Sequence, residues 1–232
     1  MPLKMRIERL PLNCKPLDHL LGGGIEHGSI TNFYGPAGSG KTNICIQASI
    51  SCIKNGKRAV FIDTEGGLSM ERFAQIAENP KEMLKRMIVM EPKSFEEQER
   101  CVEKLEDIVK KGDVGLIVLD SLVTLYRLEL DGNGEVNRRL AKQLSILSRI
   151  SRERNIPILI TNQVYSDMDG GVELVSRDVA KYWAKCLVEL QKMERGRRLA
   201  ILRKHRSLPE GSETQFQIGE KGLEEAKGFK LF

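Results

Sequence analysis

The chain lacks any apolar run near the roughly 18 residues that a bilayer-spanning helix needs, so no membrane span is expected. Met1-Pro2-Leu3-Lys4-Met5-Arg6 is not followed by a continuous apolar stretch, which argues against a signal peptide. Cysteine is sparse and unpaired: five residues, at 14, 45, 52, 101 and 186, contain no Cys-x-x-Cys element. That excludes the usual zinc spacing, and reduced, buried thiols in a cytoplasmic protein are expected. Histidine is scarcer still, with three in the chain, and His19 and His27 have no ligand partners nearby, so both read as surface or packing residues. With 8 prolines, 41% hydrophobic and 30% charged residues, the composition is neither collagen-like nor disordered. A strong charge excess is also missing. The formal net charge of +5 permits acidic partners without demanding them, so placement of the basic residues matters more than their total.

What is present is a phosphate-binding signature. Ser29-Ile30-Thr31-Asn32-Phe33-Tyr34 reads as a strand, and Gly35-Pro36-Ala37-Gly38-Ser39-Gly40-Lys41-Thr42 follows, opening a helix. Two glycines four residues apart, then Lys and Thr, in a strand-to-helix context, form the P-loop pattern. Its glycines let successive amides turn inward around phosphates, and the helix dipole and Lys41 add positive charge. Thr42 is left to hold a magnesium ion.

Further buried strands are expected at Arg58–Asp63, Val114–Asp120 and Ile156–Gln163, from apolar runs that suit a parallel sheet covered on both faces. A brief strand is expected over Met87–Met90. Helices are expected after Ser69, with Asn79-Pro80 breaking the pattern; after Ser94, whose capping box includes Glu97; and around Leu140, Leu144, Leu147 and Ile150. On that last helix the basic residues, Arg138 and Arg139 among them, are expected to be solvated. Leu125 to Glu135 and Tyr165 to Asp178 read as loops. Cys186–Gln191 and Arg198–Arg203 read as a hairpin about Glu194-Arg195-Gly196-Arg197, and Thr214–Ile218 as the last strand. The fold class is therefore α/β: a mostly parallel central sheet flanked by helices, with a C-terminal antiparallel hairpin, in one domain.

Strand ends bring Glu65, Asp120 and Gln163 to the edge that carries Lys41 and Thr42, where open α/β sheets bind ligands. This set suits phosphoryl transfer: Lys41 and the loop amides on phosphates, Thr42 and Asp120 on Mg2+, Glu65 as general base or water-orienting group and Gln163 as γ-phosphate sensor. The stretch from Lys192 to Arg206 holds seven Lys or Arg against one Glu. It is either a solvated hairpin or a surface for phosphate backbones through Arg195, Arg197 and Arg198, with Arg127, Arg138 and Arg139 extending the track.

Leu20-Leu21-Gly22-Gly23-Gly24-Ile25 with Gly28-Ser29-Ile30, the P-loop, Ile62-Asp63-Thr64-Glu65-Gly66, Leu119-Asp120-Ser121, Leu125-Tyr126-Arg127 and Ile160-Thr161-Asn162-Gln163-Val164 resemble the ATPase core of the RecA/RadA recombinase superfamily. The likeness runs from about residue 7 through most of the chain and is greatest to the short archaeal RadB-type paralogues of RadA, with which Lys204-His205-Arg206 before Pro209-Glu210-Gly211 agrees. It implies a RecA-like ATPase core using ATP and Mg2+, with Glu65, Lys41 and Gln163 catalytic and Arg72 stacked on adenine. It places Pro209 near a neighbouring subunit's nucleotide, and Lys204 and Arg206 on that nucleotide or on DNA. The implied partners are single- and double-stranded DNA bound without sequence preference, recombination and repair proteins, and further copies of the chain. RadA-type recombinases carry an N-terminal helical DNA-binding domain and a Phe-x-x-Ala linker, for which this chain has no room, and its second loop is short beside theirs. The resemblance therefore implies an accessory factor with weak hydrolysis and no strand exchange of its own. The alternative is a KaiC-like regulatory ATPase acting on a protein partner.

Overall fold

The computed structural model describes residues 7–130, 134–166, 172–174 and 178–226. A run such as Leu116-Ile117-Val118-Leu119 places apolar side chains on both faces of a strand, and all four are fully buried, which requires helices on either side. The chain supplies β1 (Arg9–Leu10), α1 (Lys15–Leu20), β2 (Ile25–Glu26), β3 (Ile30–Gly35), α2 (Lys41–Lys54) and β4 (Arg58–Asp63). Next come α3 (Met70–Ile76), α4 (Pro80–Leu84), β5 (Met87–Met90), α5 (Phe95–Lys110), β6 (Val114–Asp120), α6 (Thr124–Leu128) and α7 (Glu135–Arg154). The remainder is β7 (Ile158–Ser166), β8 (Val172–Leu174), α8 (Asp178–Trp183), β9 (Cys186–Lys192), β10 (Arg197–Lys204), β11 (Glu213–Gly219) and β12 (Gly222–Glu225).

The main sheet has the order β12-β11-β10-β9-β3-β7-β6-β4-β5. From β9 to β5 every pairing is parallel; β10, β11 and β12 extend one side with antiparallel pairings. Register sets Gly35 opposite Gln163 and Asp63 opposite Asp120, so the polar C-terminal ends of four strands form one ledge. Phe33, Phe61 and Val118 pack with Leu17, Ile44, Ala48 and Phe73 on the α1, α2 and α3 side. Val60, Ile62, Ile117 and Leu119 pack with Val102, Leu105, Leu140, Leu144 and Leu147 of α5 and α7 on the other. Across the outer surface of that layer, Arg139 pairs with Glu99, Lys142 with Glu103 at 2.9 Å and Arg149 with Glu106, so α7's cations meet α5's carboxylates rather than water alone.

Both serine caps form, with Ser69 Oγ accepting from Arg72 N at 3.0 Å and Ser94 Oγ from Glu97 N at 3.1 Å. Glu97 reaches back to the amide of Lys93, one residue before the cap. Four expectations need correction. Asn79-Pro80 starts α4 instead of only ending a helix, because a first-turn proline loses no intrahelical bond. Leu125 to Glu135 is not all loop: α6 forms over Thr124–Leu128, its Tyr126 packed edge-on against Phe95, while 131–133 lie outside the described residues. Tyr165 to Asp178 is not all loop either, since β7 runs on to Ser166 and β8 pairs back against it; 167–171 and 175–177 are outside the described residues. Thr214–Ile218 is not the last strand, because β12 follows it and donates a hydrogen bond from Leu223 N to Gln47 Oε1 at 3.0 Å. The cysteines are all unpaired, and burial pushes the Cys14 thiol up to about 11 and those of Cys52 and Cys186 up to about 12. Among the described residues no helix is long and apolar enough to cross a membrane.

Candidate active site

β3 delivers the chain into the loop at Gly35, where a Cβ would collide with the carbonyl oxygen of Leu190, so only glycine fits there. Pro36, Ala37 and Gly38 form its exposed tip, and Gly40, at φ 104°, turns the backbone into α2. No side chain caps α2, which leaves its first amides and the positive end of its dipole facing the loop. Lys41 curls back so that Nζ donates to Gly35 O at 2.9 Å and Pro36 O at 3.0 Å. Burial lowers the Lys41 pKa, and the nearby Asp120 and Glu65 carboxylates partly oppose that. Ser39 Oγ is buried without a hydrogen-bond partner. The uncapped first amides of α2, an unpaired hydroxyl and a desolvated cation are what a phosphate chain would satisfy, so the loop fits the phosphates of a nucleotide.

Asp120, 3% exposed, accepts from Thr161 Oγ1 and from the Thr42 side chain. Burial raises its pKa; the Thr161 and Thr42 bonds lower it, and Glu65 and Asp63 add like charge. A divalent cation would relieve that concentration of negative charge, and Thr42 beside Asp120 is a suitable first pair of ligands. Among the described residues no group of three His, Cys, Asp or Glu side chains is arranged for a metal.

Glu65 is presented by a turn that Asp63 builds: Asp63 Oδ1 accepts from the amides of Glu65 and Gly67 at 3.1 Å each, and Oδ2 from Leu68 N at 2.8 Å. Thr64 Oγ1 bridges to β6, donating to Ser121 O and accepting from Ser121 N, both at 2.9 Å; the Asp120–Ser121 peptide bond is cis. Gln163 Nε2 lies 3.0 Å from each oxygen of Glu65. The structure thus brings together all five residues that the strand ends were expected to gather. Four it adds are Asp63, Ser121, Thr124 and Lys192. Asp63 acts through the local turn that it builds, whereas Ser121 and Thr124 matter only through cross-strand register. Lys192, at the end of β9, holds its Nζ 3.1 Å from where a Cβ on Gly38 would sit, a second ammonium over the loop.

Arg72 spends its donors in the guanidinium plane, on Asn43 Oδ1 at 2.7 Å, Gly219 O at 2.7 Å, Gln75 Oε1 at 2.9 Å and Glu220 O at 3.1 Å. It ties α3 to α2 and to the β11–β12 turn, and only its faces remain for stacking.

The basic residues divide. Arg127, Arg138 and Arg195 are exposed, Arg197 donates to Gln215 at 3.3 Å, and Arg198 donates to Gly196 O and Arg197 O, closing the hairpin turn. Arg139 instead joins Glu99 and Glu129 and lies 4.8 Å over the Phe95 ring, so its charge is paired within the fold. Lys204 Nζ donates to Lys181 O at 2.6 Å and Ala184 O at 2.9 Å, at the end of α8. Arg206 lies 2.9 Å from Oε1 of Glu26, and buried His205 3.7 Å from Oε2. Neither Glu26 oxygen has a hydrogen-bond partner, and burial lowers the His205 pKa, so the charged pair is Arg206 with Glu26. Arg206→Ala should leave the Glu26 carboxylate, 2% exposed, without its cation. A destabilisation of about 1–3 kcal/mol in urea denaturation is expected. Unchanged stability with weakened ATP-dependent self-association would instead restore a role at a neighbouring subunit.

A profile of the Rad51 family matches residues 4–226. The chain is 43% identical over 220 residues to the DNA repair and recombination protein RadB of Methanosphaera stadtmanae, spanning 92% of this chain and 94% of that protein. To RadB of Methanococcoides burtonii it is 45% identical over 221 residues, spanning 93% and 97%. A solved structure described as the RadB recombinase superposes with a TM-score of 0.83 at 37% identity, covering 94% of this chain and 100% of that one. With that agreement in sequence and in fold, the chain belongs to the Rad51 family, as a RadB-type member of the RecA/RadA recombinase superfamily.

Proposed function

We propose that this chain acts as one RecA-like ATPase unit: an ATP-binding, weakly hydrolysing, DNA-binding accessory factor in homologous recombination and repair, without strand exchange of its own. The observation that carries the reading is the ledge on which Lys41, Thr42, Glu65, Asp120 and Gln163 meet. Lys41 and the loop amides hold the phosphates, with Lys41 leaving the two carbonyls it now occupies. Thr42 and Asp120 would hold magnesium, which when bound would supply charge neutralisation on the phosphate oxygens. Glu65 accepts the proton of the attacking water or orients it, and Gln163 exchanges its bond to Glu65 for one to the γ-phosphate. Arg72 offers a guanidinium face to adenine.

Arg127, Arg138, Arg195, Arg197 and Arg198 form the DNA surface, which reads phosphates and not bases. Lys204 and Arg206 serve that surface by holding the fold around it. The protein works in the cytoplasm, with DNA, recombination proteins and further copies of itself as partners. Because Arg203, Lys204 and Arg206 of the basic segment are engaged inside the fold, a KaiC-like regulatory ATPase with a protein partner stands as the second reading.

Titration with single-stranded and duplex DNA at several salt concentrations separates the two. Replacing Arg195, Arg197 and Arg198 together by Ala should weaken binding across sequences and reduce the salt slope by about 0.7–0.9 for each DNA phosphate that is no longer neutralised. Wild-type protein with no DNA affinity at low salt would favour the second reading.

A further inference from the structure

Glu65 is held unequally. Its Oε1 lies 2.8 Å from Ser121 Oγ, 2.5 Å from Thr124 Oγ1 and 3.0 Å from Gln163 Nε2, whereas Oε2 meets Gln163 alone. Ser121 and Thr124 are themselves 2.7 Å apart. Two hydroxyls carry two protons, too few for three contacts among Ser121, Thr124 and an ionised Glu65. Thr124 donates to Oε1 at the shortest contact and Ser121 donates to Oε1 as well, so the approach of the two hydroxyls to each other carries no proton of its own. Thr124 is also the first residue of α6, whose other end is pinned through Glu129 to Arg139 and whose middle is pinned by Tyr126 on Phe95.

We infer that Thr124 is a positioning residue for hydrolysis: its hydroxyl clamps one oxygen of Glu65, reserving the other for water once Gln163 moves away, and so makes the orientation of Glu65 depend on α6. This rests on the reading of Glu65 as the water-activating group. Arg127 and Leu128, the latter 80% exposed, lie on the same helix, so whatever binds there reaches the carboxylate through Thr124.

The test compares Thr124→Val, which keeps the shape and loses the donor, with Thr124→Ser, each in the wild-type and Glu65→Gln backgrounds, measuring kcat for ATP and nucleotide affinity. Thr124→Val should lower kcat about tenfold with unchanged nucleotide affinity, which also reports an intact fold. Thr124→Ser should stay near wild type, and Thr124→Val should add nothing in the Glu65→Gln background. A wild-type kcat in Thr124→Val while Glu65→Gln is slow would overturn the positioning role and leave the role of Glu65 standing. Equal losses in Thr124→Ser and Thr124→Val would overturn it too. A fast Glu65→Gln enzyme would instead overturn the reading of Glu65 itself.

Discussion

Lys41→Ala should abolish ATP binding while the protein stays folded. Although Lys41 is 7% exposed, it is buried by its own loop and not by the hydrophobic core. Removing it deletes two hydrogen bonds to carbonyls at Gly35 and Pro36, a cost of about 1–3 kcal/mol against the roughly 5–15 kcal/mol that a domain has in hand. In the bound state the loss is of a different order, because a phosphate chain entering a desolvated loop would find no full positive charge there except that of Lys192 from the rim. Equilibrium binding of a labelled nucleotide checks this, with circular dichroism as the control for folding. Unchanged affinity would remove Lys41 from the site.

Glu65→Gln should retain nucleotide affinity and slow hydrolysis by about 10² to 10⁴, the usual cost of losing a positioned general base. The amide oxygen can still accept from Ser121 and Thr124, but its NH₂ would face the Nε2 of Gln163, so the Gln163 amide must turn over to bond with it. The variant is therefore a test of chemistry with little change of shape. Single-turnover hydrolysis with pre-bound ATP measures it directly. A wild-type rate already as slow as the variant's would make the protein a nucleotide-gated binder in which Glu65 does no catalysis.

Much of this was legible in the sequence where one physical signal was enough. Apolar runs located β3, β4, β5 and β6, serine caps located α3 and α5, and the P-loop glycines fixed the strand-to-helix turn. The elements that were missed are short and depend on tertiary partners. α6 has five residues and exists because Leu125 and Tyr126 bury against the α5 and α7 side, and β12 has four residues pinned to Gln47 of α2. The same holds within the site. Lys41, Thr42, Glu65, Asp120 and Gln163 stand at strand and loop ends that a linear reading can align. Ser121 and Thr124 acquire meaning only when β4 is set beside β6, and Lys192 only when β9 is set beside β3. Charge was least legible, because a run of cations does not reveal its partners: Arg139, Lys204 and Arg206 are engaged with Glu99, backbone carbonyls and Glu26.

The most direct measurement is a crystal structure with a non-hydrolysable ATP analogue and magnesium. The phosphates should lie within the Gly35–Thr42 loop, with Lys41 Nζ off the carbonyls of Gly35 and Pro36, Thr42 and Asp120 turned to the ion, and the Gln163 amide moved from Glu65 to the γ-phosphate. A nucleotide bound elsewhere, with Lys41 still on its two carbonyls and Gln163 still on Glu65, would contradict the assignment of this ledge as the ATP site.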